Sequence, residues 1–134
     1  MAIEPYLFFE GRCDEAVEFY KKAVGAEVGM LMRWKDSPDK SMCTPDNENK
    51  VMHASLTING ARVMASDGRN SGKPDFKGFS LSLDAKTEAD ANRMFNALAE
   101  GGQVIMPLGK TFFSPCFGML PDKFGVHWMI LVDR

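Results

Sequence analysis

The order of predicted elements in this sequence repeats once, and the repeat restricts the folds open to the chain. Each half, about 65 residues long, reads as a strand, an amphipathic helix and three more strands. Because a single helix covers a four-stranded sheet poorly, the two halves should pack together. The sequence therefore predicts an α+β fold of two βαβββ modules, forming one curved eight-stranded mixed sheet with its helices on the convex side.

The first module is predicted to cover about residues 1–68 of a single domain. Its helix starts at Asp14-Glu15, where negative charge favours a helix N-terminus, and ends at Gly25. Asn59-Gly60 predicts a type I′ hairpin turn. The polar segment from Lys35 to Lys50 is expected to be a long surface loop, which is either a lid or simply exposed. The predicted strands are residues 5–9, 28–34, 51–58 and 61–67.

The second module is predicted to cover about residues 78–134, after a polar linker at residues 68–77. Thr87 followed by Asp90 resembles a capping box and starts its helix. An apolar stripe of Ala91, Met94, Phe95 and Leu98 then runs towards Gly101-Gly102. The predicted strands are residues 79–84, 104–108, roughly 112–120 and 126–132.

Composition excludes several classes of protein. The 16 basic and 18 acidic residues give a net charge of −2, which argues against nucleic acid as a partner. Charges interrupt every apolar stretch and the N-terminus lacks a secretion signal, so we expect a cytoplasmic protein with no membrane partner. The three cysteines Cys13, Cys43 and Cys116 lack a disulfide or zinc spacing and are expected to be reduced.

Several segments together resemble one known family. It is the PhnB-like branch of the glyoxalase/bleomycin-resistance, or vicinal oxygen chelate, superfamily, part of which is labelled 3-demethylubiquinone-9 3-methyltransferase-like. The most specific segments are Phe19-Tyr20 with the Gly25 stop, and residues 122–129. The full set is Pro5-Tyr6-Leu7-Phe8-Phe9-Glu10-Gly11, Asp14-Glu15-Ala16-Val17-Glu18-Phe19-Tyr20, His53-Ala54-Ser55-Leu56 with Asn59-Gly60, Phe117-Gly118-Met119, and Asp122-Lys123-Phe124-Gly125-Val126-His127-Trp128-Met129-Ile130.

The resemblance implies paired βαβββ modules, a homodimer and a small-molecule cavity within the curved sheet. In the metal-dependent members, four inward His, Glu or Gln side chains hold a divalent ion that binds two substrate oxygens. At most one of the matching positions in this chain carries a good ligand for a hard metal, so no metal or other cofactor is expected. Those positions offer Pro5 or Tyr6, then Met64, Ser66 or Asp67, then Phe79 or Ser80, and Met129.

Strand alternation identifies two histidines as candidate site residues. His53 should face away from Met52, Ala54 and Leu56, and His127 away from Trp128 and Ile130. An inward histidine acts as a general base, as a hydrogen-bond donor or as a metal ligand, and His53 is the candidate for catalysis. The alternative for both is a structural histidine in a half-buried wall.

Other side chains are candidates for the lining of an adaptable apolar pocket with a few polar groups. The alternatives for these are plain core, dimer interface or small polar filler. Cys116 is expected to be a structural thiol, and Asp67 and Asp84 are expected to cap turns. The candidate lining residues are Tyr6, Phe8, Met64, Phe113, Met119 and Met129, with Ser66, Ser80 and Ser82 as polar groups.

The leading hypothesis is a homodimer that binds a small, partly apolar organic ligand in its concave cavity. The alternative is a divergent metal-dependent lyase, isomerase or dioxygenase acting on vicinal oxygens, with a site rebuilt from His53, Asp67 or His127. Methyl transfer is not favoured because the sequence has no glycine-rich G-x-G-x-x-G cofactor loop. DNA binding is not favoured because the chain has a small negative net charge.

Overall fold

The computed structural model describes residues 2–68 and 73–132, in which the elements follow the order βαβββ twice. This confirms the α+β class and the two βαβββ modules. The first module consists of β1 (Tyr6–Phe8), α1 (Cys13–Val24), β2 (Glu27–Arg33), β3 (Val51–Ile58) and β4 (Ala61–Ser66). The second consists of β5 (Leu81–Ala85), α2 (Glu88–Ala99), β6 (Met106–Gly109), β7 (Cys116–Pro121) and β8 (His127–Val132).

The strands are hydrogen-bonded as two four-stranded mixed sheets of the same topology. The first sheet has the order β1-β4-β3-β2 and the second β5-β8-β7-β6, and in each the first strand is parallel to its neighbour. The chain divides into two compact units with a boundary between Pro74 and Asp75, and Lys22–Val24 are grouped with the second unit. This boundary falls inside the predicted linker, of which residues 69–72 lie outside the described residues. In the described part of the chain, neither helix is long and apolar enough to cross a membrane.

Helix α1 forms where the sequence predicts it. Asp14 and Glu15 lie in its first turn, and Gly25 ends it in the left-handed conformation with φ 67°. Tyr20 is 1% exposed and its ring lies 6.1 Å from that of Phe9. These contacts anchor the apolar face of the helix beside the end of β1.

A buried carboxylate holds the start of α1. The helix has no side-chain cap of its own at Arg12. Instead, Oδ1 of Asp67 accepts hydrogen bonds from the backbone N–H of Gly11 (3.0 Å) and Cys13 (2.7 Å), and its Oδ2 accepts one from Val51 N–H (2.7 Å). Asp67 is 1% exposed. One side chain therefore joins the β1–α1 turn to β3, because negative charge at a helix N-terminus is favourable and buried N–H groups need partners.

Helix α2 also matches its sequence signature. Thr87 Oγ1 accepts a hydrogen bond from the backbone N–H of Asp90 at 3.1 Å, and the predicted apolar stripe is the buried face. Its Phe95 packs directly on Gly118 of β7, where a Cβ atom would lie 2.6 Å from Phe95 Cε2. Only glycine leaves room for this contact.

The β7–β8 turn is organised by Asp122, which is 4% exposed. Its carboxylate accepts hydrogen bonds from the backbone N–H of Phe124 and Val126 and from Nε1–H of Trp128, the last at 2.9 Å. These bonds give a physical reason for the Asp and Trp of the segment at residues 122–129, and Gly125 has a φ of 90°, which favours glycine.

The prediction of a strand at residues 112–120 was wrong at its start. Thr111 and Ser114 form a hydrogen-bonded turn, and Ser114 Oγ donates at 2.6 Å to the carbonyl of Val132. Phe112 is 91% exposed in this turn, and β7 begins only at Cys116. Strand β3 has its predicted ends, and the strands other than β7 differ from their predictions by at most two residues at either end.

Candidate functional site

A cavity of about 610 Å³ lies in the first unit. That volume is within the range of small-molecule sites. Strands β1, β3 and β4 supply part of its wall and residues 34–47 supply another part. Its lining residues are Tyr6, Phe8, Trp34, Met42, Thr44, Asp46, Asn47, Met52, Ser66 and Gly68.

The alternation of β1 directs two aromatic side chains to the cavity. Leu7 is 2% exposed, whereas Tyr6 and Phe8 on either side of it are 36% and 50% exposed. The Tyr6 and Phe8 rings stack with centroids 4.9 Å apart. In the parallel β1–β4 pair, Tyr6 lies opposite Met64 and Phe8 lies opposite Ser66. Tyr6, Phe8 and Ser66, all candidates from sequence, therefore meet at the cavity, with Met64 beside Tyr6.

His53 reaches the site through a hydrogen bond to Tyr6. The Nδ1 of His53 lies 2.7 Å from the Tyr6 Oη, and the two rings lie 5.4 Å apart. His53 is half-buried, whereas Ala54 and Leu56 are fully buried on the other face of β3. Burial raises the pKa of Tyr6, with the nearby Cys13 adding to the rise and the Ser66 hydroxyl opposing it. Tyr6 is thus a neutral phenol near pH 7, and His53 fixes its orientation.

A β-bulge brings Met52 into the lining. Met32 pairs with His53 and Arg33 pairs with Val51, which leaves Met52 out of the β2–β3 register. Val51 is 0% exposed, and Met52 is half-buried at the cavity. The sequence placed Met52 on the buried side and Val51 on the other side, and this was wrong because a bulge interrupts strict alternation.

The segment from Lys35 to Lys50 contributes four lining residues. Asn47 closes a turn in it: its Oδ1 accepts from Thr44 N–H at 2.7 Å and its Nδ2 donates to the Met42 carbonyl at 2.9 Å. Trp34, just before the segment, has a buried Nε1–H without a hydrogen-bond partner among the described residues. The sequence left open whether this segment is a lid, and it identified none of these residues as lining candidates. The one available signal was Met42, an apolar residue within a polar loop.

The candidate residues of the second unit are not among the lining residues of this cavity. Met129 of β8 pairs with Ser82 of β5 and with Met119 of β7, and Met119 pairs with Met106 of β6. These side chains form a row across the second sheet. The half-buried His127 lies opposite Pro121, Ser80 precedes β5, and Phe113 lies in the turn before β7, 45% exposed.

The donors of the first unit do not fit a hard divalent cation. No group of three or more His, Cys, Asp or Glu side chains that could hold a metal ion occurs in residues 2–68 and 73–132. The oxygens of Asp67 already accept three backbone N–H groups, and Nδ1 of His53 is bonded to Tyr6. Across from Tyr6 stands the thioether of Met64, a ligand that suits soft metals.

The cysteines carry no sign of activation. All three are free; Cys13 and Cys116 are buried, and Cys43 is half-buried. Burial, with the negative charges of Asp67 and Asp14, raises the pKa of the Cys13 thiol to about 12. Burial also raises the pKa of Cys116. Nucleophilic thiols have lowered pKa values instead.

Comparison with known proteins assigns the family. Residues 1–131 match the family model described as 3-demethylubiquinone-9 3-methyltransferase. Protein YjdN of Escherichia coli is 34% identical over 100% of this chain and 97% of its own length.

Solved structures agree with this match. Protein PA1353 from Pseudomonas aeruginosa has a TM-score of 0.87 and 42% identity, covering 99% of this chain and 98% of its own. A putative 3-demethylubiquinone-9 3-methyltransferase, a PhnB protein from Bacillus cereus, has a TM-score of 0.81 and 32% identity over 98% of this chain and 99% of its own.

A glyoxalase-related enzyme from Fulvimarina pelagi shares the fold, with a TM-score of 0.68 at 16% identity over 99% of this chain and 88% of its own. The chain therefore belongs to the 3-demethylubiquinone-9 3-methyltransferase family, as the PhnB protein does, and shares its fold with a glyoxalase-related enzyme.

Proposed function

We propose that the protein binds a small, partly apolar organic ligand in the cavity of the first unit. The observation that carries the proposal is the composition of the wall. Half of the ten lining residues are large and apolar or aromatic, and polar groups are interspersed among them. Ligand sites have this composition, because apolar contact supplies affinity and a few polar groups fix orientation. The large lining residues are Tyr6, Phe8, Trp34, Met42 and Met52.

The two methionines allow the cavity to fit ligands of different shapes. Met42 is 61% exposed and Met52 is half-buried, so both thioethers can change rotamer against a ligand at little cost in packing. The aromatic side is more rigid, because the Tyr6 ring stacks on Phe8 and its hydroxyl is held by His53. In this proposal His53 is a positioning residue for Tyr6.

The test uses the neutral dye N-phenyl-1-naphthylamine, whose fluorescence rises in apolar surroundings. We expect a saturable rise with the wild-type protein. Phe8→Ala should weaken binding about tenfold, since removing an aromatic wall loses roughly 1–2 kcal/mol of contact. Phe112→Ala is the matched control: it removes a phenyl ring that is 91% exposed and outside the cavity, and should leave binding unchanged. Equal affinities of the two variants, or a rise without saturation, would contradict the proposal.

We also propose that the protein assembles as a homodimer. Strand β6 lies at the edge of the second sheet, and a run of exposed apolar side chains leads into its first residue, Met106. Val104, Ile105 and Met106 are 44%, 59% and 44% exposed, and such a patch next to a free strand edge favours association. Light scattering should report twice the chain mass of 14.9 kDa, and Ile105→Glu should lower it. A monomer at all concentrations would overturn this assignment.

We also propose that the protein is located in the cytoplasm. Three unpaired cysteines, two of them buried, suit a reducing environment. Fractionation of cells expressing the chain should recover it with cytoplasmic markers, and recovery in an oxidising compartment would refute the proposal.

A further inference from the structure

We propose that the cavity of the first unit prefers organic cations, such as aryl or alkyl ammonium compounds, to anions of similar size and shape. This inference rests on the proposed binding function and names the class of ligand. It follows from the aromatic rings and carboxylates at the cavity and from the hydrogen-bond partners of the nearby basic side chains.

Aromatic side chains form a large part of the lining. Tyr6 and Phe8 stack on each other, and Trp34 lies in the same wall. The faces of aromatic rings carry negative electrostatic potential, so they attract ammonium groups and repel carboxylates or sulfonates. Burial raises the pKa of Tyr6, so its phenol is neutral near pH 7 and the ring carries no formal charge.

Among the described residues that line the cavity, the formal charge is negative. Asp46 is an exposed residue of the lining, and none of the ten described lining residues is basic. A second carboxylate stands close by: Oε2 of Glu10 lies 3.0 Å from the position that a Cβ on Gly68 would take. Both carboxylates raise the local concentration of cations and lower that of anions.

The basic side chains of residues 33–50 are directed to other partners. Each one donates to an oxygen atom of a residue that does not line the cavity. None of these hydrogen bonds joins a basic group to Asp46. The pairs are Arg33 with Asp14 and the Asn49 carbonyl, Lys35 with Asn49, Lys40 with the Lys35 carbonyl, and Lys50 with the Gly11 carbonyl.

Most neutral polar groups of the wall are bonded within the protein, and the Nε1–H of Trp34, which has no partner among the described residues, is an uncharged donor. Asn47 is used within its own turn. Ser66 donates to the Val51 carbonyl at 3.3 Å and accepts from Gly68 N–H at 2.9 Å. A bound anion would thus lose its hydration without gaining a charged donor, which is unfavourable.

The experiment displaces N-phenyl-1-naphthylamine with three probes of similar shape: phenyltrimethylammonium, neutral tert-butylbenzene and benzenesulfonate. We expect phenyltrimethylammonium to bind about tenfold more tightly than benzenesulfonate at low salt, with the gap narrowing as salt is added. Asp46→Asn should weaken the cation about threefold to fivefold and leave tert-butylbenzene unchanged.

Glu48→Gln is the matched control for Asp46→Asn. It removes the same charge from the same loop at an exposed residue outside the lining, and should have no effect on the cation. Equal affinities for cation and anion, or equal effects of the two variants, would overturn the inference while the binding function stands. Failure of the dye to bind would overturn the binding function and this inference together.

Discussion

Removal of the Asp67 carboxylate should destabilise the first unit more than any change of an exposed acid. Its oxygens accept from the backbone N–H groups of Gly11, Cys13 and Val51 at 2.7–3.0 Å. The side chain is 1% exposed, and the bonds to Cys13 and Val51 are buried. Burial limits the access of water to the N–H groups of Cys13 and Val51, so water replaces the carboxylate poorly there.

The size of the effect follows from those three bonds. A hydrogen bond to a charged group contributes about 1.5–3 kcal/mol, and an unsatisfied buried donor costs about 1–3 kcal/mol. Asp67→Ala leaves three donors without the acceptor, so we expect a loss of about 4–6 kcal/mol in the free energy of unfolding. That loss is comparable to the whole stability of a small domain, about 5–15 kcal/mol. Asp67→Asn keeps one oxygen but turns an amide N–H towards a backbone donor, and should cost about 2–3 kcal/mol.

Urea unfolding followed by far-UV circular dichroism measures both variants. Glu27→Gln is the control, because Glu27 is an exposed acid on β2 and its loss should change stability by less than about 0.5 kcal/mol. If Asp67→Ala fails to fold, the unfolding free energy of Asp67→Asn still tests the argument. Equal stabilities of Asp67→Asn and Glu27→Gln would refute the argument that this carboxylate holds the β1–α1 turn to β3.

Three further outcomes are expected. Gly118→Ala should lower the free energy of unfolding by about 2–4 kcal/mol, because the new Cβ would overlap Phe95; Gly29→Ala, whose nearest neighbour lies at 3.6 Å, is the control, and equal melting temperatures would contradict the contact. Because the pKa of Cys13 is raised to about 12 in the folded state, its unfolded thiol ionises first as the pH rises. Its contribution is therefore complete below about pH 9 and falls by at most about 1.4 kcal/mol per pH unit towards pH 12, a slope that Cys13→Ser should remove from urea unfolding measured over that range. A thiol reagent at neutral pH should label the half-buried Cys43 long before Cys13, and equal rates would show that the Cys13 site opens freely.

Features with a local cause could be predicted from the sequence. The limits of α1 follow from acidic residues in its first turn and from Gly25, and the start of α2 follows from Thr87. Strand β3 and its turn follow from alternation and from Asn59-Gly60, both with positive φ. Each signal lies within a few residues of the structure that it specifies, so a single sequence is enough to read it.

Features that depend on distant partners could not be predicted. Asp67 was expected to cap a local turn, but its partners Gly11 and Cys13 are 56 and 54 residues away in the chain. The bulge at Met52 depends on how β2 and β3 pair, which alternation along one strand does not contain. The wall at residues 34–47 lies outside the regular strands, in a segment whose sequence has no periodicity. Tyr6, Phe8 and Ser66 could be named in advance because they lie on regular strands.

The two modules share a topology but differ in the connection that makes the cavity. In the first module, residues 34–50 join β2 to β3, and this long connection supplies half of the lining, including Trp34 and Asp46. In the second, residues 110–115 join β6 to β7, and the row from Ser82 to Met106 has no comparably long connection beside it. A loop of this length costs little more entropy to close than a short one. An insertion in one copy of a repeated unit can therefore add a wall to a cavity without changing the sheet beneath it. For this reason, we expect the proposed ligand preference to depend on loop residues such as Asp46 more than on the strands that identify the family.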